Sequence, residues 1–320
     1  MTHNLRVFLA TFILSLPFWW GINLLEGNLN DFFFWHKMSQ NPEIFTAQIN
    51  LENKLRSLKP IEDRSAENLE IGAEAAISYL FDNQGKERIL FEKNKKERLP
   101  IASLTKLMTA HVVLKNYDLS KEIKVSKEAI EQEENLGKLM MGKVFPVKYL
   151  LYPLLMESSN DAAFCLANDY DGMNEKKFVD LMNMEAERLE LYDTFFINPT
   201  GLDPEDPEKR INYSTAENLA KFVREISDEY LIWEILSTPK YNVYGPELVN
   251  INRLLEDSID WKNRIIGGKT GYTEKAGGCF ILALKAPKNN GILVNVILGT
   301  DNRFSEMKSL VNWLYTAYKW

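Results

Sequence analysis

The chain is short of cysteine and histidine, with two of the first, Cys165 and Cys279, and three of the second among 320 residues. Neither cysteine stands in a CxxC pair, and three histidines are too few to complete a zinc site beside them. No metal and no cofactor are therefore expected. The cysteines read as small buried hydrophobes. A disulfide between them is the open alternative, because the compartment argued below permits one. Basic residues are fewer than acidic ones, 38 against 45, for a formal net charge of −7. They are scattered, with no Lys/Arg stripe to track a phosphate backbone, which argues against nucleic acid as a partner. Internal repeats and low-complexity tracts are missing too.

What is present begins with an apolar run. From Val7 to Leu25 the chain is interrupted only by Thr11, Ser15, Pro17, Gly21 and Asn23. A helix of that length nearly crosses a bilayer core, which needs roughly 20 residues. Arg6 precedes the run and Glu26 and Asp31 follow it, the charge order of an N-in orientation. Aromatic groups at Phe18–Trp20 and Phe33–Trp35 suit a membrane interface. A cleaved signal peptide would need a small-x-small site, and Glu26-Gly27-Asn28-Leu29-Asn30 is a poor one. Residues 1–27 therefore read as a transmembrane anchor, with a signal segment as the lesser possibility. Either reading places the rest outside the cytoplasmic membrane.

Residues 28–70 mix charge, Asn and Pro without a sustained period and read as a stalk; 71–320 read as one catalytic domain. Ala75–Asp82 and Arg88–Glu92 are β-prone runs around Asn83-Gln84-Gly85-Lys86, a hairpin signal. Helices are expected at Ser103–Lys115, Pro146–Glu157, Asp161–Asn168 and Lys176–Leu191. Ser214-Thr215-Ala216-Glu217 reads as a capping box opening another. Strand-like runs at Gly278–Ala286 and Ile292–Gly299 precede an amphipathic helix, Phe304–Tyr318. Strands at both ends around a run of helices imply one antiparallel sheet closed by distant segments.

Three short motifs carry chemistry. In Ser103-Leu104-Thr105-Lys106, residues i and i+3 share a helix face, so hydroxyl and amine can meet. A serine is a poor nucleophile until a neighbour takes its proton, and a lysine of lowered pKa does that. Two further Ser-x-x-Lys tetrads fit less well. Ser237–Lys240 contains Pro239, which disfavours a continuing helix, and Ser305–Lys308 reads as a solvated face. In Ser158-Ser159-Asn160, helix punctuation is the plain reading; alternatively Ser158 relays a proton and Asn160 holds substrate backbone. Lys269-Thr270-Gly271 follows two glycines and reads as a strand approached closely by a ligand, or as a Gly-rich loop. As a strand it would place Lys269 and Gly271 on one face and Thr270 on the other. His111 reads as structural.

Together and in this order, the three motifs resemble the signature of penicillin-recognising serine enzymes. Pro100–Ala110, Glu157–Ala163, Asn198–Asp203, Asn250–Leu255 and Lys269–Gly277 are similar to segments of the low-molecular-weight D-alanyl-D-alanine carboxypeptidases. The resemblance implies an α/β fold of the β-lactamase/transpeptidase type: an antiparallel sheet of about five strands, flanking helices and an all-helical subdomain. It implies that Ser103 is the nucleophile, Lys106 the base and Ser158 the proton shuttle. Asn160, Lys269, Thr270 and Gly271 would bind substrate, and the backbone N–H groups of Ser103 and Tyr272 would receive the oxyanion. The implied partners are a stem peptide ending in D-Ala-D-Ala, β-lactams as inhibitors and the cytoplasmic membrane through the N-terminal helix. Activity is expected in the cell envelope, as a carboxypeptidase. The alternatives are a D,D-endopeptidase, a β-lactamase or an inactive envelope-binding protein. Members often carry His after Lys-Thr-Gly, where this chain has Tyr272, and many carry a C-terminal β-rich domain. No Glu-x-x-Leu-Asn pattern of the class A β-lactamases lies between Ser158 and Lys269.

Overall fold

A computed structural model describes residues 60–63, 65–133, 139–204, 206, 208 and 210–320. The run Val7–Leu25 and most of the expected stalk lie outside the described residues. The chain divides into two units, Met1–Glu62 with Lys319 and Asp63–Tyr318 with Trp320; the second carries everything below. Among the described residues no helix is long and apolar enough to cross a membrane.

A five-stranded antiparallel sheet organises this unit. Its strands are β1 (Ala75–Phe81), β2 (Glu87–Lys93), β3 (Ile265–Thr273), β4 (Gly277–Lys285) and β5 (Ile292–Thr300), in the order β3-β4-β5-β1-β2. The expected hairpin joins β1 to β2. Asp82 Oδ1 accepts from the Gln84 and Lys86 nitrogens, both at 2.8 Å, which closes the turn. β1 is buried throughout, as its apolar run demands of a central strand. β2 carries Glu87, Arg88, Glu92 and Lys93 and is partly exposed, a charged edge that discourages pairing with other chains.

Both faces of the sheet are covered, and the period-two alternation of side chains sorts them. Ile77, Tyr79, Ile281, Ala283, Val294 and Val296 join the larger core. That core is completed by α1 (Thr105–Asn116), α2 (Val147–Tyr152), α3 (Asn160–Phe164), α4 (Glu175–Arg188), α5 (Ala216–Glu225) and α6 (Tyr230–Ser237). Ala76, Leu80, Phe280, Leu282, Leu293 and Ile297 face the other way, against Met307, Leu310 and Leu314 of α7 (Arg303–Ala317). Ala66, Leu69 and Ile71 pack on that second core, and Trp313 Nε1 donates to the Glu67 carbonyl at 2.7 Å. The packed body thus takes in residues ahead of Ile71.

Three elements depart from their expected form, the first being the helix over 161–168, which is α-helical to Phe164 and a π turn from Cys165 to Asp169. The helix over 146–157 is α-helical only to Tyr152 and continues as a wider π turn, Pro153–Glu157. The helix after Ser214 is capped by Thr215, which accepts from Asn218 N, because Ser214 is occupied in a short ladder with Leu99. Cys165 and Cys279 are both free and buried, so the disulfide is not formed. Burial pushes both thiols up, Cys279 to about 12.

Candidate active site

The segment Ala102-Ser103-Leu104 forms a 3-10 turn that feeds α1. Ala102 adopts φ 45°, a left-handed conformation uncommon for a residue with a side chain. The turn is pressed from two sides. A Cβ at Gly201 (φ +84°) would lie 2.0 Å from the Ala102 oxygen, and one at Gly271 would lie 3.0 Å from the Ser103 nitrogen. Glycine at both positions lets two other backbones approach that of Ala102 and Ser103.

Lys106 follows one turn later on α1 and is fully buried. Its Nζ donates to Ser103 Oγ at 2.9 Å, to Asn160 Oδ1 at 2.7 Å and to the Thr200 carbonyl at 2.5 Å. Two of these partners, the amide oxygen and the carbonyl, can only accept. A neutral amine donating its two hydrogens to them is left with its lone pair directed at Ser103 Oγ, the orientation a base needs. Asn160 is itself held, its Nδ2 donating to the Glu133 carbonyl at 2.8 Å. Thr200 is fixed by the turn Asn198–Gly201: Gly201 N donates to Asn198 Oδ1, and Thr109 Oγ1 of α1 donates to Pro199 O, both at 2.7 Å.

Ser158 ends the π turn with φ 61° and ψ 34°, left-handed again. Residues held in such regions cost of order 1–3 kcal/mol and gather at functional sites; two of the six non-glycine cases among the described residues, Ala102 and Ser158, stand here. The conformation turns the chain between the π turn and α3, which is capped by Ser159 and carries Asn160. Lys269 Nζ donates to Ser158 Oγ at 2.8 Å and to the Thr270 carbonyl at 2.7 Å.

Lys269-Thr270-Gly271 lies in β3, an edge strand rather than a loop. Lys269 pairs with Ile281 and Gly271 with Cys279, residues of the larger core, whereas Thr270 pairs with Phe280 of the second. The alternation therefore places Lys269 and Gly271 toward α1 and Thr270 toward α7. Lys269 is buried, and desolvation, then Lys106, then Arg303 hold its ammonium well below the usual lysine range. The Tyr272 side chain is exposed. All eight sequence-singled residues thus fall on three adjoining segments.

A family model described as D-alanyl-D-alanine carboxypeptidase matches residues 62–302. The chain belongs to this family. DacF, a D-alanyl-D-alanine carboxypeptidase of Bacillus subtilis, is 31% identical over 247 residues, 72% of this chain and 60% of that protein. A D-alanyl-D-alanine endopeptidase of Pseudomonas aeruginosa is 30% identical, covering 76% of this chain and 78% of its own. Penicillin-binding protein D2 of Listeria monocytogenes, solved with cefotaxime bound, superposes with a TM-score of 0.66 at 28% identity, covering 78% of this chain and 99% of that one. The chain spans about three fifths of the length of DacF and 62% of that of Escherichia coli DacA.

Within this D,D-carboxypeptidase family member, the backbone contributions were not visible in the motifs. The Thr200 and Glu133 carbonyls hold Lys106 and Asn160, yet a carbonyl leaves no mark on residue type. Asn198-Pro199-Thr200-Gly201, with glycine after the acceptor, was the available signal. His111 faces the carboxylates of Glu229 and Glu185, its Nε2 3.3 Å from Glu185, and ties α1 to its helical neighbours. Of the other two tetrads, Ser237 ends α6, and Lys308 on α7 is paired with Asp257.

Proposed function

We propose that the chain is a serine-type D-Ala-D-Ala carboxypeptidase acting on peptidoglycan stem peptides. The observation that carries the reading is the buried Lys106 amine, set between Ser103 Oγ and two fixed acceptors. In the reaction, Lys106 removes the Ser103 proton as Oγ attacks the carbonyl of the penultimate D-Ala. The Ser103 and Tyr272 N–H groups receive the oxyanion; donors aimed at developing charge are worth more in a water-poor site. Ser158, hydrogen-bonded to Lys269, relays the proton that Lys106 took from Ser103 on to the leaving amine, so both groups return to their starting state. The C–N bond breaks, D-Ala departs and an ester on Ser103 remains, which water hydrolyses. Lys269 and Thr270, which leave opposite faces of the edge strand β3, take the terminal carboxylate at that strand's unpaired edge, and its charge offsets the cost of the buried ammonium. Asn160 positions the peptide, and Gly271 gives it room.

A β-lactam would acylate Ser103 in the same manner, a reading supported by the cefotaxime-bound Listeria relative. A D,D-endopeptidase reading is supported by relatives of that name. Anchorage to the outer face of the cytoplasmic membrane rests on the Val7–Leu25 run and is proposed on that ground alone. The test is intact-mass measurement of the full chain after brief exposure to benzylpenicillin. A single adduct, lost in Ser103→Ala, is expected. Folded protein without an adduct would favour an inactive binding protein, and hydrolysed drug accumulating without an adduct would favour a β-lactamase.

A further inference from the structure

His111 is a buried titratable side chain of α1 that the reaction above does not use. Its two ring nitrogens both face carboxylates: Nδ1 that of Glu229, and Nε2 that of Glu185 at 3.3 Å. A neutral imidazole has one N–H and one lone pair, so one of these contacts would set lone pair against lone pair. Both become hydrogen bonds when the ring carries a second proton. Glu185 is well supplied with cations, since its Oε2 also accepts from Lys115 Nζ at 3.0 Å and from Arg188 Nε at 2.7 Å. Burial pushes its carboxyl up, but the hydrogen bonds from Arg188, Lys115 and His111 outweigh this and hold it below the usual range. Glu229 is different. Its Oε2 is buried without a partner, and among the described residues the His111 ring is the one group bonded to its side chain. A buried carboxylate so short of donors depends on the adjacent positive charge. The remaining neighbour is the Phe222 ring of α5, edge-on at 5.7 Å, which neither gives nor takes a proton.

Glu229 immediately precedes α6, and α6 touches the segments that carry the other two motifs. A Cβ at Gly267 would lie 2.8 Å from Leu236 Cβ and 3.1 Å from the Trp233 ring, so α6 presses on β3 just ahead of Lys269. Beyond the end of α6, Asn250 Nδ2 donates to the Leu236 carbonyl at 3.3 Å and to that of Thr238 at 3.0 Å. The next residue, Ile251, donates its N–H to Met156 O at 3.0 Å, in the π turn that delivers Ser158. Helix α6 thus joins the strand of Lys269 to the turn of Ser158. His111 joins that pair to α1, which carries Lys106 and continues the Ser103 turn.

We propose that His111, with both ring nitrogens protonated, is a positioning residue for acylation: its ion pair with Glu229 sets α1, and with it Ser103 and Lys106, against the helix that backs the other two motif segments. The inference rests on the acyl-enzyme reading above and gives His111 no contact with substrate and no proton to transfer to it. When the ring releases its second proton, one nitrogen turns a lone pair toward a carboxylate oxygen. The attraction between α1 and its neighbours is then replaced in part by repulsion, and the spacing of the three segments loosens. The tie is therefore held while the ring is charged and is lost as pH rises. Lys115 and Arg188 stay charged through that change and keep Glu185 paired, so the loss falls on the Glu229 side.

The test compares the full chain with His111→Phe, which keeps a ring against Phe222, and with Glu229→Gln, which keeps the side chain's size. The rate of benzylpenicillin adduct formation is followed from about pH 5 to about pH 8, the span over which histidine ordinarily changes charge. The temperature is one at which circular dichroism shows every protein folded. At the acid end each variant should acylate about tenfold more slowly than the parent, since small misplacements of reacting groups have effects of that order or larger. The gap should close as pH rises. The double variant should be no slower than the slower single one, because the two residues form one interaction. A purely structural role would lower the melting temperature and leave the folded variants acylating at the parent's rate, which would overturn the proposal. A gap of constant size across the pH range, or additive slowing in the double variant, would overturn it as well. If His111→Phe does not fold, Glu229→Gln decides by the same criteria of rate and pH. An adduct on the parent with equal rates in the variants leaves the acyl-enzyme reading intact, whereas no adduct on the folded parent overturns both.

Discussion

Two buried lysines do different work at the site because their partners differ. Lys106 meets one hydroxyl and two acceptors that cannot give up a proton. With Lys106 as the proposed general base, Lys106→Ala should slow penicillin acylation by about 10²–10⁴-fold, read as the rate of adduct formation. Lys269 has its ammonium held down by burial first. With its folded pKa lowered, the folded state releases this proton before the unfolded chain does, and stability rises with pH up to the ordinary lysine value of about 10.4. Lys269→Met should therefore melt at a higher temperature than the parent at neutral pH. The difference should shrink as pH approaches that value, while acylation is lost; a lower melting temperature at pH 7 would contradict this account. For the same reason KM for a peptide with a free carboxylate should climb with pH through the lowered Lys269 value. A C-terminally amidated peptide should show no such climb.

At the scale of elements, the site depends on backbones that come unusually close. Strand β3 can lie against the Ser103 turn because Gly271 has no side chain; a Cβ there would sit 3.0 Å from Ser103 N and 3.1 Å from Ile101 O. Gly271→Ala should leave the fold intact by circular dichroism and slow acylation on the order of 10²-fold, since small misplacements of reacting groups have that effect. Helix α5 offers a contrast remote from the chemistry. Thr215→Ala removes the cap on Asn218 N and should cost about 1 kcal/mol in denaturant unfolding with the acylation rate retained. These elements were largely legible in the sequence. The hairpin, the strands of the second half and the last helix announce themselves through turn residues and period. The cap was placed one residue early, because Ser214 is a good capping residue whose competing ladder with Leu99 depends on a segment 115 positions away. The π turn before Ser158 has no residue signature at all.

For the whole molecule, the sheet is closed by α7, which covers one face while the helices between α1 and α6 cover the other. Leu310 on α7 is fully buried against the second core. Leu310→Ala should cost about 2–5 kcal/mol, transfer plus cavity, measured by urea unfolding. Residue type and order by themselves determined the antiparallel α/β body, the three motifs and hence the family chemistry, since these rest on side-chain identity and short-range spacing. Only the tertiary structure decided how the motifs work together: which face of β3 Lys269 takes, which carbonyls hold Lys106, the left-handed backbone at Ser158, and the two carboxylates that meet His111. These are contacts between atoms far apart in the chain, many of them backbone atoms that every residue carries. No local pattern encodes such contacts, and they exist once the burial of both sheet faces has fixed where each segment lies.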